Sequence, residues 1–240
     1  MEVSSLAESI HTEKTFLDGI KDCIPTLLGY ISIGFAFGVV GIASHLSTFE
    51  IFLLSLLIYA GAAQFIFCGL FVAGTPVSAI ILTTFIVNLR HFLMALSVAP
   101  SFKNESLARN IGFGTLLTDE TYGVAMTKLA QGHTLSGRWM DGLNITAYLS
   151  WIIASVFGAF VGKWIPNPEN WGLDFALTAM FVALLILNLE STPKNKLMHY
   201  LSLILYMGIA MFVLMNFLPG HLAVLISTVL VALIGVLTEK

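Results

Sequence analysis

Apolar residues run through this chain in long unbroken stretches, separated by short groups of charge, glycine or proline. A charge at the centre of a bilayer costs about 2.5–3.5 kcal/mol even on lenient insertion scales, so charge-free intervals mark candidate membrane helices. The first lies between Asp22 and Glu50 and predicts a helix over 23–44. No charge appears from Ile51 to Leu89, too long for one span of roughly 20 residues. Gly74-Thr75-Pro76 divides that interval into helices near 51–73 and 76–99. A fourth apolar segment, 107–128, holds Asp119 and Glu120 near its centre; a fifth covers 142–162, and a sixth, 174–189, opens on Asp174. The interval from Leu197 to Thr238 is again of double length and divides at Asn216–Gly220 into a seventh and an eighth. The pattern predicts an all-α polytopic transmembrane bundle of about 7–8 membrane segments.

Whether 107–128 crosses decides the topology. If it does, Lys14, Lys21, Lys128, Arg138, Lys194, Lys196 and Lys240 share one side, against Lys103, Arg109 and Lys163 on the other. The positive-inside rule then favours eight crossings with both termini cytoplasmic; re-entry of this segment alone would turn the N-terminus outward. Residues 1–22 carry Glu2, Glu8, Glu13 and Asp18 with helically scattered apolar positions, and no basic stretch precedes an apolar core. They read as a short cytosolic amphipathic segment rather than a cleaved signal peptide, leaving 23–240 as a single transmembrane domain. Gly34-Phe-Ala-Phe-Gly38 and Gly158-Ala-Phe-Val-Gly162, each followed by a polar loop and an apolar helix, form a weak internal repeat.

Composition agrees with a lipid environment. Only 10% of the 240 residues are charged, against about a quarter in a soluble domain, and the mean hydropathy is +0.90. Eight spans leave no room for an aqueous catalytic module. A net charge of −3 and the lack of any basic cluster denser than Lys194-Asn195-Lys196 give no reason to expect a nucleic-acid partner. Cys23 and Cys68 fall in or beside apolar segments, so neither a disulfide nor a metal site is expected. The sequence has no Walker-type glycine loop, no HExxH and no nucleophile with a placed histidine. No cofactor, no ATP bound by this chain and no enzyme activity are expected, and an ion gradient, the substrate's own gradient or another subunit must supply energy.

Within hydrocarbon an ionisable side chain must be paired, hydrated or protonated, which singles out Arg90, Asp119, Glu120 and Asp174. Arg90 stays protonated and needs an anionic partner or a ligand carboxylate, unless it snorkels to the interface. Asn88 and His91, three residues apart, share a helix face beside it. Thr118-Asp119-Glu120-Thr121 reads as a helix start, with a hydroxyl N-cap and two acids in the first turn. This predicts an interrupted segment four with a discontinuous helix near 110–120; an ordinary loop over 112–118 before a surface helix is the competing reading. If Arg90 pairs with one of Asp119 and Glu120, the other is left to hold an ammonium or exchange a proton, and His91 joins them as a proton-coupling candidate. In Ala60-Gly61-Ala62-Ala63-Gln64 small side chains allow close approach, and Gln64 offers an amide to a substrate or to another helix. Tyr59, Tyr122, Asn144 and Trp151 are weaker candidates, since Tyr and Trp near span ends commonly anchor at the interface.

Ala60-Gly-Ala-Ala-Gln-Phe65, Asn88-Leu-Arg-His91, Leu117-Thr-Asp-Glu-Thr-Tyr122, Trp151 and Gly172-Leu-Asp-Phe-Ala176 together resemble the motifs of the azaleucine-resistance (AzlC-type) family. The resemblance runs from about Gly19 to Asn188 in order and spacing. It implies the large subunit of a branched-chain amino-acid exporter in the bacterial inner membrane, working with a small AzlD-type membrane partner. The family motifs coincide with the intramembrane polar residues chosen on physical grounds, so Gln64, Asn88, Arg90, Asp119 and Glu120 are the expected substrate-binding residues and His91, Asp119 and Glu120 the expected proton-coupling ones. Two other classes stay open: an intramembrane enzyme using His91 with Asp119 or Glu120 as acid and base, and a non-transporting assembly subunit.

Overall fold

The computed structural model describes residues 15–165 and 192–238 and a scatter of positions between 170 and 190. Residues 1–14, Asp174 and most of the expected segment 174–189 lie outside the described residues, as does most of the loop Pro166–Trp171. Every regular element among the described residues is helical.

Helix α1, Phe16–Ala43, begins before the charge-free interval does. Its start is set by a capping box: the Asp18 carboxylate accepts from the Thr15 backbone N–H at 2.9 Å, while the Asp18 N–H donates to the Thr15 hydroxyl at 3.4 Å. Residues 16–22 are therefore its first turns. Helix α7, Gly137–Gly162, likewise starts ahead of its apolar stretch, where the Ser136 hydroxyl accepts from the Trp139 N–H at 3.3 Å.

α1 and α7 lie against each other in parallel. Gly19 faces the Trp139 carbonyl, Gly34 faces Ala154, Gly38 faces the Ser155 carbonyl and the Ala159 nitrogen, and Gly162 faces Val39 and Ile42. The register advances in the same direction along both helices. The contact is backbone on backbone, because a Cβ at Gly38 would stand 2.1 Å from the Ser155 oxygen. The two motifs read as a repeat, Gly34–Gly38 and Gly158–Gly162, are thus opposite sides of one small-residue crossing.

The remaining elements are ordered by this pair. Helices α2, Thr48–Leu57, and α3, Gly61–Val72, replace the single helix expected over 51–73. α2 enters at the C-terminal end of α1, where Ile51 fills the space over Gly41. It reaches the middle, where the Tyr148 hydroxyl donates to the Leu56 carbonyl at 2.7 Å. The chain turns at Ile58-Tyr59-Ala60 with Tyr59 at φ 44°. α3 then goes back the way α2 came: Phe65 meets the Phe37 ring at 5.7 Å, and Cys68 lies beside Ser44. α4, Val77–Val98, runs to the opposite end and closes in a 3-10 turn, Ala99–Phe102.

A second hairpin enters from that end. α5, Leu107–Thr115, starts with Arg109 bonded to Asp141 near the start of α7, and its Phe113 carbonyl accepts from Asn144 at 3.3 Å. The chain turns at 116–118, placing Thr118 against Tyr30 at mid-length of α1. α6, Asp119–Ala130, returns to the end it came from, where Lys128 pairs with Asp22 at 2.8 Å.

Segments two and four therefore do not cross. They are re-entrant helical hairpins from opposite ends, and the expectation of eight crossings is corrected to that extent. The physical reason is the same in both: a break at mid-depth reverses the chain, and the arms are too short to span. By length and composition four helices among the described residues can cross a membrane, Phe16–Ala43, Val77–Phe102, Gly137–Gly162 and Lys194–Leu214. The last is α8; it packs antiparallel on α9, Gly220–Thr238, with Gly235 against Leu203.

Candidate substrate crevice at the hairpin tips

The two turns meet beside the middle of α1, α4 and α7. One contributes Tyr59, Ala60, Gly61 and Ala62, the other Thr118, Asp119 and Glu120; Tyr30, Arg90, His91 and Trp151 complete the lining. Non-helical backbone at this depth is tolerated only where it is buried in protein or lines a cavity.

Thr118 N-caps α6 as the sequence led us to expect. Its hydroxyl accepts from the Thr121 N–H at 3.4 Å, and the Thr121 hydroxyl accepts from the Thr118 N–H at 2.9 Å. Asp119 and Glu120 occupy the first turn, where the helix dipole favours negative charge. The Arg90 Nη2 lies 2.8 Å from the Asp119 Oδ2, so the guanidinium on α4 and the carboxylate on α6 form a pair of zero net charge. Glu120 accepts a hydrogen bond from the Tyr30 hydroxyl at 3.2 Å, and that hydroxyl is also bonded closely to Thr118. Arg90, Asp119, Glu120 and His91 are thus brought together, with the guanidinium committed to Asp119.

The opposite wall is aromatic. Trp151 stands edge-on to Tyr30, with centroids 6.0 Å apart, and stacks with Phe37 at 6.3 Å. Its indole N–H donates to Gln64 Oε1 at 2.9 Å, and Gln64 Nε2 donates to the Ser55 hydroxyl at 3.2 Å. Gln64 is fully buried behind this wall, where it ties α3 to α2 and fixes the indole. Asn88 is not among the lining residues either. Asn144 tethers α5, and Tyr122 accepts from the Ser97 hydroxyl at 3.1 Å. Tyr30 was not singled out from the sequence; its signal was a lone tyrosine in the middle of a charge-free interval.

Free space in the crevice is about 20 Å³, and one water needs roughly 10–15 Å³ by the same measure. A space of that size does not admit an amino acid.

The family model described as AzlC protein matches residues 25–165, which include every lining residue. "Inner membrane protein YgaZ" of Escherichia coli (strain K12) is 32% identical over 186 residues, covering 73% of this chain and 74% of that protein. "Branched-chain amino acid transport protein AzlC" of Bacillus subtilis (strain 168) is 27% identical over 247 aligned positions, covering 99% and 92%. An uncharacterized membrane protein of Archaeoglobus fulgidus is 30% identical over 184 residues, covering 76% and 80%. No solved structure matches the chain.

Proposed function

The chain belongs to the AzlC family, and from that premise we propose that it exports leucine, isoleucine, valine and similar amino acids across the bacterial inner membrane. In this reading it is driven by an ion gradient and works with a small AzlD-type membrane subunit. The observation that carries the proposal is the pair of hairpins, which enter from opposite ends and meet over a neutral Arg90–Asp119 pair and a further carboxylate, Glu120. Either hairpin can open its own side while the other stays closed, as alternating access requires.

Charge gives the orientation. Lys21, Lys103, Arg109, Lys128 and Arg138 gather at the N-terminal end of α1, and Lys163 follows α7 at the other. The positive-inside rule assigns the first end to the cytoplasm, so that the α5/α6 hairpin closes the crevice toward the cytoplasm and α2/α3 toward the outside. An N-terminus inside, read earlier from eight crossings, now follows from two re-entries.

Within this scheme Glu120 receives the ammonium or exchanges a proton, with His91 beside it. Arg90 and Asp119 supply the charge balance, Gln64 holds the Trp151 wall, and Asn88 supports the Arg90 face. The small side chains of Ala60, Gly61 and Ala62 allow a ligand to come close to the α3 turn once the hairpins part, with the neighbouring aromatic wall beside its aliphatic branch. An apolar pocket separates methylenes by only about 1–3 kcal/mol, so selectivity among Leu, Ile, Val and Met is loose. The test is radiolabelled leucine flux into inside-out vesicles containing this chain, with and without its small partner, under an imposed proton gradient. Gradient-dependent uptake is expected, and Arg90→Ala and Asp119→Asn each abolish it at undiminished membrane levels. Uptake by either variant at the wild-type rate refutes the site; no uptake in any sample refutes the transport reading.

A further inference from the structure

We propose that the first turn of α3, together with the Tyr59 hydroxyl, is the seat of the ligand's carboxylate, and that Arg90 is not. The inference rests on the amino-acid reading above and deepens it by fixing which way the zwitterion lies.

α3 begins at the hairpin tip with Gly61, and its N-cap is Ala60, which has no side-chain acceptor. Its first turn holds no acidic residue. The Gly61, Ala62 and Ala63 amides therefore point out of a helix N-terminus without a side-chain cap, at the positive end of the dipole. Ala60, Gly61 and Ala62 line the crevice. Such an end binds carboxylates and phosphates, and broken helices in transporters present it at mid-membrane depth.

Tyr59 supplies an independent sign of a ligand. The residue is 6% exposed and lines the same crevice; its hydroxyl makes no hydrogen bond of ordinary geometry, and the polar group it faces, the Tyr30 hydroxyl, is already engaged by Thr118 and Glu120. A buried hydroxyl left in this condition is destabilising, and an arriving anion that accepts from it removes the penalty. Its ring is held edge-on against Tyr148 at 4.8 Å, which fixes where the hydroxyl sits. Above the turn packs Trp151, whose Cη2 would lie 2.8 Å from a Cβ at position 61. Only glycine lets the indole cover these amides and exclude water from them.

The second hairpin tip is the electrical complement. Thr118 caps α6, and Asp119 and Glu120 supply anions to its first turn. Arg90 lies 2.8 Å from Asp119, so a ligand carboxylate there would compete with an anion already in place. A bound amino acid thus bridges the hairpins, carboxylate on the α3 turn and ammonium toward Glu120.

The test uses the full chain purified in detergent and three probes: leucine, leucinamide, which lacks the carboxylate, and 4-methylpentanoate, which lacks the amine. Tyr59→Phe keeps the ring and is expected to weaken leucine and 4-methylpentanoate by about tenfold or more, as a lost hydrogen bond to a charged group does, and to leave leucinamide unchanged. In the double variant Arg90→Gln/Asp119→Asn both charges are gone, and the ratio of leucine to leucinamide affinity is expected to stay within about threefold of wild type, whatever happens to the affinities themselves, because the carboxylate seat is elsewhere. Elution profile and tryptophan emission confirm that each variant is folded. Unaltered leucine binding by folded Tyr59→Phe overturns the seat, as does loss of the preference for leucine over leucinamide in the folded double variant. Wild-type protein that binds leucine and leucinamide equally also overturns the seat while sparing the amino-acid reading. Binding of 4-methylpentanoate but not leucine, sensitive to Tyr59→Phe, upholds the seat and defeats that reading; binding of neither defeats both.

Discussion

Gly38→Ala tests whether the α1–α7 crossing holds the molecule together. The new methyl would lie 2.1 Å from the Ser155 carbonyl oxygen and 2.5 Å from the Ala159 nitrogen, where ordinary contact begins near 3.4 Å. Both obstacles are backbone, so no side chain can rotate away, and the two helices must part locally by about 1.3 Å. Overpacking of this kind costs about 1–3 kcal/mol, and in a chain of this size each kcal/mol lowers the melting temperature by about 2–4 °C. The expected loss is therefore about 2–12 °C, read by tryptophan emission or by the fraction surviving gel filtration after heating. Gly29→Ala provides the control in the same helix, since nothing lies within 4 Å of a Cβ there. It should be neutral, or gain up to about 1 kcal/mol of helix propensity. The reasoning fails if Gly38→Ala melts like wild type, or if Gly29→Ala falls as far.

Cysteines placed at Lys103 and Gln131, with Cys23 and Cys68 replaced by alanine, should react with an impermeant maleimide from one face of the membrane, and a cysteine at Ala73 from the other; labelling of 103 and 131 from opposite faces would restore segment four as a crossing. Gln64→Leu strands the Trp151 N–H and the Ser55 hydroxyl and should destabilise by about 2–6 kcal/mol, at roughly 1–3 kcal/mol for each buried group; unchanged melting would show that the amide is dispensable. Glu120→Gln should lower proton-driven leucine flux at least tenfold while Tyr30→Phe, which leaves the carboxylate in place, lowers it less. Equal effects in that flux assay would make the hydrogen bond, rather than the charge, the working part.

The helix start at Thr118 was legible because its chemistry is local: a hydroxyl, two acids and a preceding apolar run are all that a capped N-terminus needs. The break at 58–60 was not, since the cap is an alanine and the interval from Ile51 to Leu89 contains no charge to mark a boundary. An uncapped helix start leaves no polar signature in the sequence. The starts of α1 and α7 were displaced because absence of charge describes the bilayer's preference, whereas Thr15 and Ser136 describe the backbone's. Pairing of Arg90 with one of Asp119 and Glu120 was one of several readings left open by the scarcity of intramembrane charge, and which carboxylate it meets depends on how α6 lies against α4. Gln64 was chosen for its amide, and the structure turns that amide inward to Trp151 and Ser55, a distinction that composition and spacing do not encode.

A crevice that holds about one water has a consequence for the membrane as an insulator. A space of about 20 Å³ has room for roughly one water and none for an ion with its hydration shell. Under the transport proposal, the hairpin tips would then be an ion seal as well as a gate. Under the same proposal, ion leak should scale with turnover and vanish when both hairpins are cross-linked to the helices around them.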